Sequence, residues 1–122
     1  MRILLVEDHT HSRDALKRLL QKWGYDVAAA EDLQKGLTFL GAEHFDAILS
    51  DIALPDGTGY ALVSEARRRA ENVLAIAMSA YRYPEEVHIA KLTGFDYHLE
   101  KPIDCRRLRF LLRDGYREAS VA

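Results

Sequence analysis

The feature that most constrains this chain is a fivefold alternation of short apolar runs with segments of helical periodicity. The runs are Ile3–Val6, Asp26–Ala30, Ala47–Ser50, Val73–Met78 and Phe95–Leu99. Two of them, Ile3–Val6 and Val73–Met78, are almost continuously apolar, as strands covered on both faces must be. Between the runs, Ala15, Leu16, Leu19, Leu20 and Trp23 repeat at helical spacing, and Gly24 stands where a helix ends. Leu33, Leu37 and Leu40 repeat likewise before Gly41, and Leu62, Val63, Ala66 and Ala70 mark a third helix after Gly57, Thr58 and Gly59. Pro84 suits the first turn of a fourth, with Val87 and Ala90 inward and Gly94 at its end. Ile103, Leu108, Leu111 and Leu112 mark a fifth.

Strict alternation predicts an α/β fold: a parallel sheet, five helices shared between its two faces, and right-handed crossovers. Among doubly wound sheets, the flavodoxin-like order 2-1-3-4-5 suits five strands in a chain of 122 residues, although periodicity alone does not select it. The length is that of one domain, read over 1–122, with no linker or output domain expected within it. Hydrophobic residues at 48% and charged residues at 30% fit a globular core rather than disorder. A net charge of −2 argues against a general nucleic-acid or anionic-membrane surface. The apolar runs are too short to cross a bilayer, and MRILLV is too short for a signal-peptide core. The single Cys105 allows no internal disulfide, which fits a reducing cytoplasm, and is read as a part-buried small hydrophobe at a helix start.

In open α/β sheets, ligands bind beyond the carboxyl ends of the strands. Glu7 and Asp8 follow the first run, and the third ends in Ser50 and Asp51. The fourth ends in Met78, Ser79 and Ala80, and the fifth runs into Glu100, Lys101 and Pro102. If those strands are neighbours, carboxylates, a hydroxyl and an ammonium converge at one edge. Clustered carboxylates repel unless a cation neutralises them. Oxygen ligands suit Mg²⁺, which takes one or two carboxylates directly and keeps several waters. In such a site Lys101 places a point charge on one phosphoryl oxygen and Ser79 donates to another. The remaining carboxylate attacks phosphorus to give an aspartyl phosphate. An acidic pair after a strand is by itself usually a solvated turn, and Lys-Pro is usually loop. The joint pattern at successive strand ends carries the specificity.

With these residues the chain resembles the receiver domain of two-component response regulators along essentially its whole length. The motifs are LLVED at the first strand, SDIALPDGTG around the third, MSA at the fourth and GFDYHLEKP at the fifth. The resemblance implies that Asp51 is the phosphoacceptor and Asp8 a direct Mg²⁺ ligand. Glu7 would hold the ion through water, and the backbone carbonyl of Ala53 would be the remaining protein ligand. Ser79 matches the switch hydroxyl and Lys101 the family lysine, with a cis Lys101–Pro102 bond expected. One departure stands out: the position three before the lysine, commonly Tyr or Phe, is His98. Neighbouring Tyr97 should face the other side of the strand. A GFDxHLxKP ending resembles receivers attached to hybrid sensor kinases. His98 is therefore a switch candidate beside Ser79, while small Ala53 and large Tyr81 are expected to tune hydrolysis.

The implied function is a phosphorylation switch. A histidine kinase or histidine phosphotransfer protein donates a phosphoryl group to Asp51, and the surface of the fourth helix, fifth strand and fifth helix repacks. The chain would catalyse its own phosphorylation and dephosphorylation and otherwise not be an enzyme, kinase activity belonging only to a longer hybrid chain. The expected reader is a downstream protein, an output domain on a longer chain, or a second copy, with no direct nucleic-acid or membrane contact. An aspartyl-nucleophile phosphatase would carry a second acid where Ala53 stands. A flavin module would need a Gly-rich phosphate loop where Glu7 and Asp8 stand. An unphosphorylated scaffold would not need the complete set of Glu7, Asp8, Asp51, Ser79 and Lys101. Zinc would need a third ligand beside His9 and His11. His44 and His88 are read as surface residues, and Trp23 as core packing. Arg67–Arg69 read as a solvated helix face, as do Arg106, Arg107, Arg109 and Arg113.

Overall fold

The computed structural model describes residues 1–69, 72–80 and 94–115. Five strands, β1 (Arg2–Val6), β2 (Asp26–Ala30), β3 (Ala47–Asp51), β4 (Leu74–Ser79) and β5 (Tyr97–Glu100), form one sheet. Their order is β2-β1-β3-β4-β5, the flavodoxin-like arrangement, and every pairing is parallel, the latter as the alternation predicts. Around the sheet lie α1 (Thr10–Lys22), α2 (Leu33–Ala42), α3 (Gly59–Arg68) and α4 (Cys105–Phe110), which continues into a π-helical turn at Leu111–Gly115. Four of the five expected helices are thus among the described residues. The expected fourth, with Pro84, Val87 and Ala90, lies outside them, as do Ala70, Tyr81 and His88. A hairpin that periodicity did not reveal, Ala53–Leu54 against Gly57–Thr58, follows β3.

Alternation along each strand splits the core into two layers. Leu4, Val6, Ile48, Ala75 and Ala77 face α2 and α3, meeting Leu40, Leu62, Val63 and Ala66. Ile3, Leu5, Leu49, Ile76 and Met78 face α1 and α4, meeting Leu20, Leu108, Leu111 and Leu112. Leu5 and Leu49 are fully buried, so truncation of either to Ala should cost about 2–5 kcal/mol. Trp23 packs at the edge of the second layer, as expected, with the Arg109 guanidinium 5.4 Å from its ring centroid. Tyr97 belongs to that layer too, so it does face away from the His98 side.

Helix ends explain several differences from the sequence reading. Gly24 has φ +95°, the left-handed stop expected after α1. Gly41 is not a stop: α2 runs through it to Ala42 and leaves through Glu43 in an extended conformation. Ile103 is not on the last helix. Asp104 caps that helix by accepting from the Arg106 and Arg107 amides, so it begins only after the cap, and Ile103 packs from the loop. Cys105, expected part-buried, is exposed at the first position of that helix. Arg67 also departs from expectation. It reaches under α3 and donates to Val73 O at 2.6 Å, to Gly94 O at 2.8 Å and to Asp96 Oδ2 at 3.0 Å. Arg68 and Arg69 pair instead with Glu65 on the exposed face.

Candidate functional site

Three strand ends supply the charged groups. The Glu7 amide donates to Ala30 O at 3.0 Å, extending the β1–β2 ladder one residue past the strand. Alternation then turns Glu7 to the α1/α4 side, where it is fully buried. Arg13 of α1 reaches back and donates to the carbonyls of Glu7 at 3.0 Å and Asp8 at 3.4 Å. That clamp fixes the turn carrying the acidic pair, and the sequence reading missed it. Asp8 lies nearer the rim, with His9 Nδ1 3.4 Å from its Oδ1. Glu7, Asp8 and His9 each offer a ligand atom, all within 4.8 Å of one another. His11 is exposed and does not join them.

Asp51 closes β3 opposite Met78 and is 4% exposed. The chain beyond it fits tightly. The buried Ser50 hydroxyl donates to Asp51 O at 2.8 Å, and the Gly59 amide donates to Ile52 O at 2.8 Å. A Cβ on Gly59 would collide with the Asp51 carbonyl oxygen, so α3 can begin against β3 only with glycine there. No local pattern signals this second role for the Gly57-Thr58-Gly59 turn.

Lys101 spans the two buried acids. Its Nζ stands 2.7 Å from Asp51 Oδ1, and 3.0 and 3.3 Å from the two Glu7 carboxylate oxygens. Glu7 accepts aligned hydrogen bonds. The Asp51 contact is close enough for an ion pair but is not aligned as a hydrogen bond, and both Asp51 carboxylate oxygens are buried without one. Buried charge with unused lone pairs is costly, and native proteins tolerate it mainly where function demands it. The Lys101–Pro102 bond is cis, as expected, and the Lys101 amide donates to Ser79 O at 2.8 Å.

A cavity of about 290 Å³ is lined by Asp8, His9, Asp51, Ala53, Ser79 and Lys101, with Ile52 and Met78. Of the residues expected at the site, five therefore share one cavity, Glu7 joins through Lys101, and His98 joins through Ser79, its Nε2 2.9 Å from Ser79 Oγ. A larger, mostly apolar groove of about 550 Å³ lies alongside, between Ala15, Leu16 and Leu19 of α1 and the segment Pro102–Cys105. The smaller cavity is where the charges converge, so the chemistry is assigned there. Its donor set fits Mg²⁺: Asp8 and Asp51 supply hard oxygens, and the Asp51 carboxylate has lone pairs that no hydrogen bond uses. Near the hairpin, Asp56 accepts from the Leu33 and Gln34 amides at 2.8 and 2.9 Å. Those bonds, the Leu33 one foremost, hold its carboxyl below the usual range.

Comparison with known proteins points the same way. The family profile described as "Response regulator receiver domain" matches residues 3–113. An uncharacterised 14.6 kDa protein of Leptolyngbya boryana is 34% identical over 85% of this chain and 81% of its own length. Sensor histidine kinase RcsC of Escherichia coli K12 is 33% identical over 84% of the chain, which spans only 11% of that protein. The transcriptional regulatory protein KdpE of the same strain is 36% identical over 98% of the chain, which spans 52% of it. Among solved structures, a receiver domain protein of Methanospirillum hungatei superimposes with a TM-score of 0.89 at 30% identity, covering 98% of this chain and 95% of that one. Response regulator TrrA of Thermotoga maritima, in complex with Mg²⁺ and BeF, gives 0.80 at 26% identity, covering 92% and 96%. Among the described residues no helix is long and apolar enough to cross a membrane. A parallel sheet in this order, a buried acid against a lysine and the match over 3–113 agree: the chain belongs to the response regulator receiver domain family.

Proposed function

We propose that this chain is a phosphoacceptor switch in which Asp51 takes a phosphoryl group from a histidine kinase or a histidine phosphotransfer protein. The observation that carries the reading is the Asp51 carboxylate, buried, unaligned with any hydrogen-bond donor, and facing Lys101, Ser79 and Asp8 across one cavity. One Asp51 oxygen attacks the phosphorus of a phosphohistidine in line. The P–O bond forms as the P–N bond breaks, and the released imidazole takes its proton from water. Asp8, Asp51 and the Ala53 carbonyl would hold Mg²⁺ directly and Glu7 through water. When bound, the ion would neutralise charge shared between the carboxylates and the phosphoryl oxygens. Lys101 is then drawn from Glu7 and Asp51 toward a phosphoryl oxygen, and the Ser79 hydroxyl donates to another.

Phosphorylation should shift a two-state equilibrium whose readout is the face built from β5, α4 and the expected fourth helix. The reader is a downstream protein, an output domain on a longer chain or a second copy. The similarity to RcsC, of which this chain spans 11%, favours a second reading: the receiver part of a hybrid histidine kinase. Intact mass after incubation with acetyl phosphate and Mg²⁺ tests the chemistry. One phosphoryl adduct is expected in the wild type, and none in Asp51→Asn or without Mg²⁺. If the folded chain also fails to take phosphate from a phosphohistidine donor, the acceptor reading is wrong.

A further inference from the structure

We propose that Asp56 is a positioning residue for Mg²⁺: by capping α2 from the hairpin beyond β3, it holds the Ala53 carbonyl at the cavity. The inference rests on the proposed metal role of Ala53 and deepens it. The amides of Leu33, Gln34 and Lys35 open α2 and have no partner within it. Asp32, the residue before the helix, supplies Lys35, its Oδ1 accepting at 2.8 Å. The other two amides are supplied from 23 and 22 residues away. Asp56 Oδ1 accepts from Leu33 at 2.8 Å and Oδ2 from Gln34 at 2.9 Å. A carboxylate in that place also faces the positive end of the helix dipole.

Asp56 is the second residue of the Pro55-Asp56 turn that joins Ala53–Leu54 to Gly57–Thr58. A hairpin this short has little stability of its own. Its base is fixed on the sheet, where the Ile52 amide donates to Met78 O at 3.1 Å and the Gly59 amide donates to Ile52 O at 2.8 Å. Its tip is fixed on α2 by Asp56, with Gly57 so close to Leu33 that a Cβ there would stand 2.5 Å from Leu33 Cδ2. Ala53 lies between these two attachments and lines the cavity with Asp8 and Asp51. Releasing the tip leaves Ala53 on a segment held at one end, so only a fraction of molecules present its carbonyl to the ion. The apparent affinity for Mg²⁺ falls with that fraction. Loss of one hydrogen bond of ordinary net strength corresponds to about 3–10-fold.

The test compares the two carboxylates that cap α2. Mg²⁺ is titrated into the wild type, Asp56→Ala, Asp56→Asn and Asp32→Ala, and the amide NMR shifts of Ile52 and Ala53 report binding. Each Ala variant removes a negative charge and a cap from the same helix end, so both should lower Tm. Asp56→Ala alone should weaken Mg²⁺ binding, by about 3–10-fold. Asp56→Asn, which keeps one acceptor oxygen, should fall between Asp56→Ala and the wild type. With acetyl phosphate, adduct formation by Asp56→Ala should need correspondingly more Mg²⁺ and reach the wild-type rate at saturation. Unchanged affinity in folded Asp56→Ala overturns the inference. So does an equal loss in Asp32→Ala, which would trace the effect to helix capping, and so does Asp56→Asn as weak as Asp56→Ala, which would trace it to charge. A wild type that binds Mg²⁺ and accepts no phosphate sinks the acceptor reading alone, and the binding comparison still decides this one. A wild type that binds no Mg²⁺ sinks both.

Discussion

The two edges of the sheet carry similar charged residues and use them in opposite ways. At the amino edge, Asp46 Oδ2 accepts from the Arg2 amide at 2.8 Å, and Asp96 Oδ2 accepts from the Ala75 amide at 2.8 Å and from Arg67 at 3.0 Å. These carboxylates are tied to backbone donors where strands begin, and they set register. At the carboxyl edge, Glu7 and Asp51 are more deeply buried, share one ammonium, and leave the Asp51 oxygens without an aligned donor. A purely structural carboxylate would be expected to collect donors, as Asp96 does. The shortfall at Asp51 is the observation that supports the proposed acceptor role.

The sharpest way to break this contrast is to neutralise one acid at each edge. Asp51→Asn should abolish the phosphoryl adduct completely, while Asp96→Asn, which keeps an acceptor oxygen for Ala75, should leave it intact; intact mass reads both. An adduct surviving in Asp51→Asn would move the chemistry elsewhere. Next in size is Lys101→Met, which leaves Glu7 and Asp51 buried without their shared cation. Breaking a fully buried pair costs about 3–5 kcal/mol, and about 2–4 is expected here because the lysine side chain is 28% exposed. Urea unfolding should show that loss, with part of it recovered when Mg²⁺ is added.

At the amino edge, Arg67→Met removes the donors to Val73 O, Gly94 O and Asp96. It should lower stability by about 2 kcal/mol, the range for hydrogen bonds involving a charged group, without changing acceptance of phosphate. Reduced acceptance in a folded Arg67→Met chain would show that the two edges are coupled. The smallest effect belongs to the exposed surface. Glu65 is lowered from 4.5 to about 2, first by its hydrogen bond to Arg68. Its folded value is the lower one, so its contribution is present above pH 4.5 and lost as pH falls toward about 2. The difference in Tm between wild type and Glu65→Gln should be small at neutral pH, shrink with salt and close across that window.

Most of the architecture was legible because it rests on local periodicity. Ile3–Val6 and Val73–Met78 read as doubly covered strands, and their side chains are fully or almost fully buried. The strand-end residues were legible for a related reason: each follows its strand directly, so the strand delivers it to a known edge. Features made by distant partners were not legible. Arg67 looked like one arginine among three, and only the return of Val73, Gly94 and Asp96 beneath α3 distinguishes it. Nothing local marks Arg13, which meets the Glu7 and Asp8 carbonyls only through the packing of α1 against the end of β1. Gly59 looked like a helix start, and only the approach of the Asp51 carbonyl makes it obligatory.

By itself, the sequence determined the alternation of elements, the faces that are buried and the set of groups sent to the carboxyl edge. Apolar spacing and strand pleat are properties of neighbouring residues, so they need no knowledge of the rest of the chain. The tertiary structure alone decided how those groups meet. Packing β1 beside β3, and β3 beside β4, brings Glu7 and Asp51 to one lysine on β5's far end, and the β4–β5 register sets His98 against Ser79. Electrostatic and hydrogen-bond partners lie tens of residues apart in this chain, Glu7 and Lys101 among them. Their distances follow from strand order and crossover geometry, which no local pattern encodes.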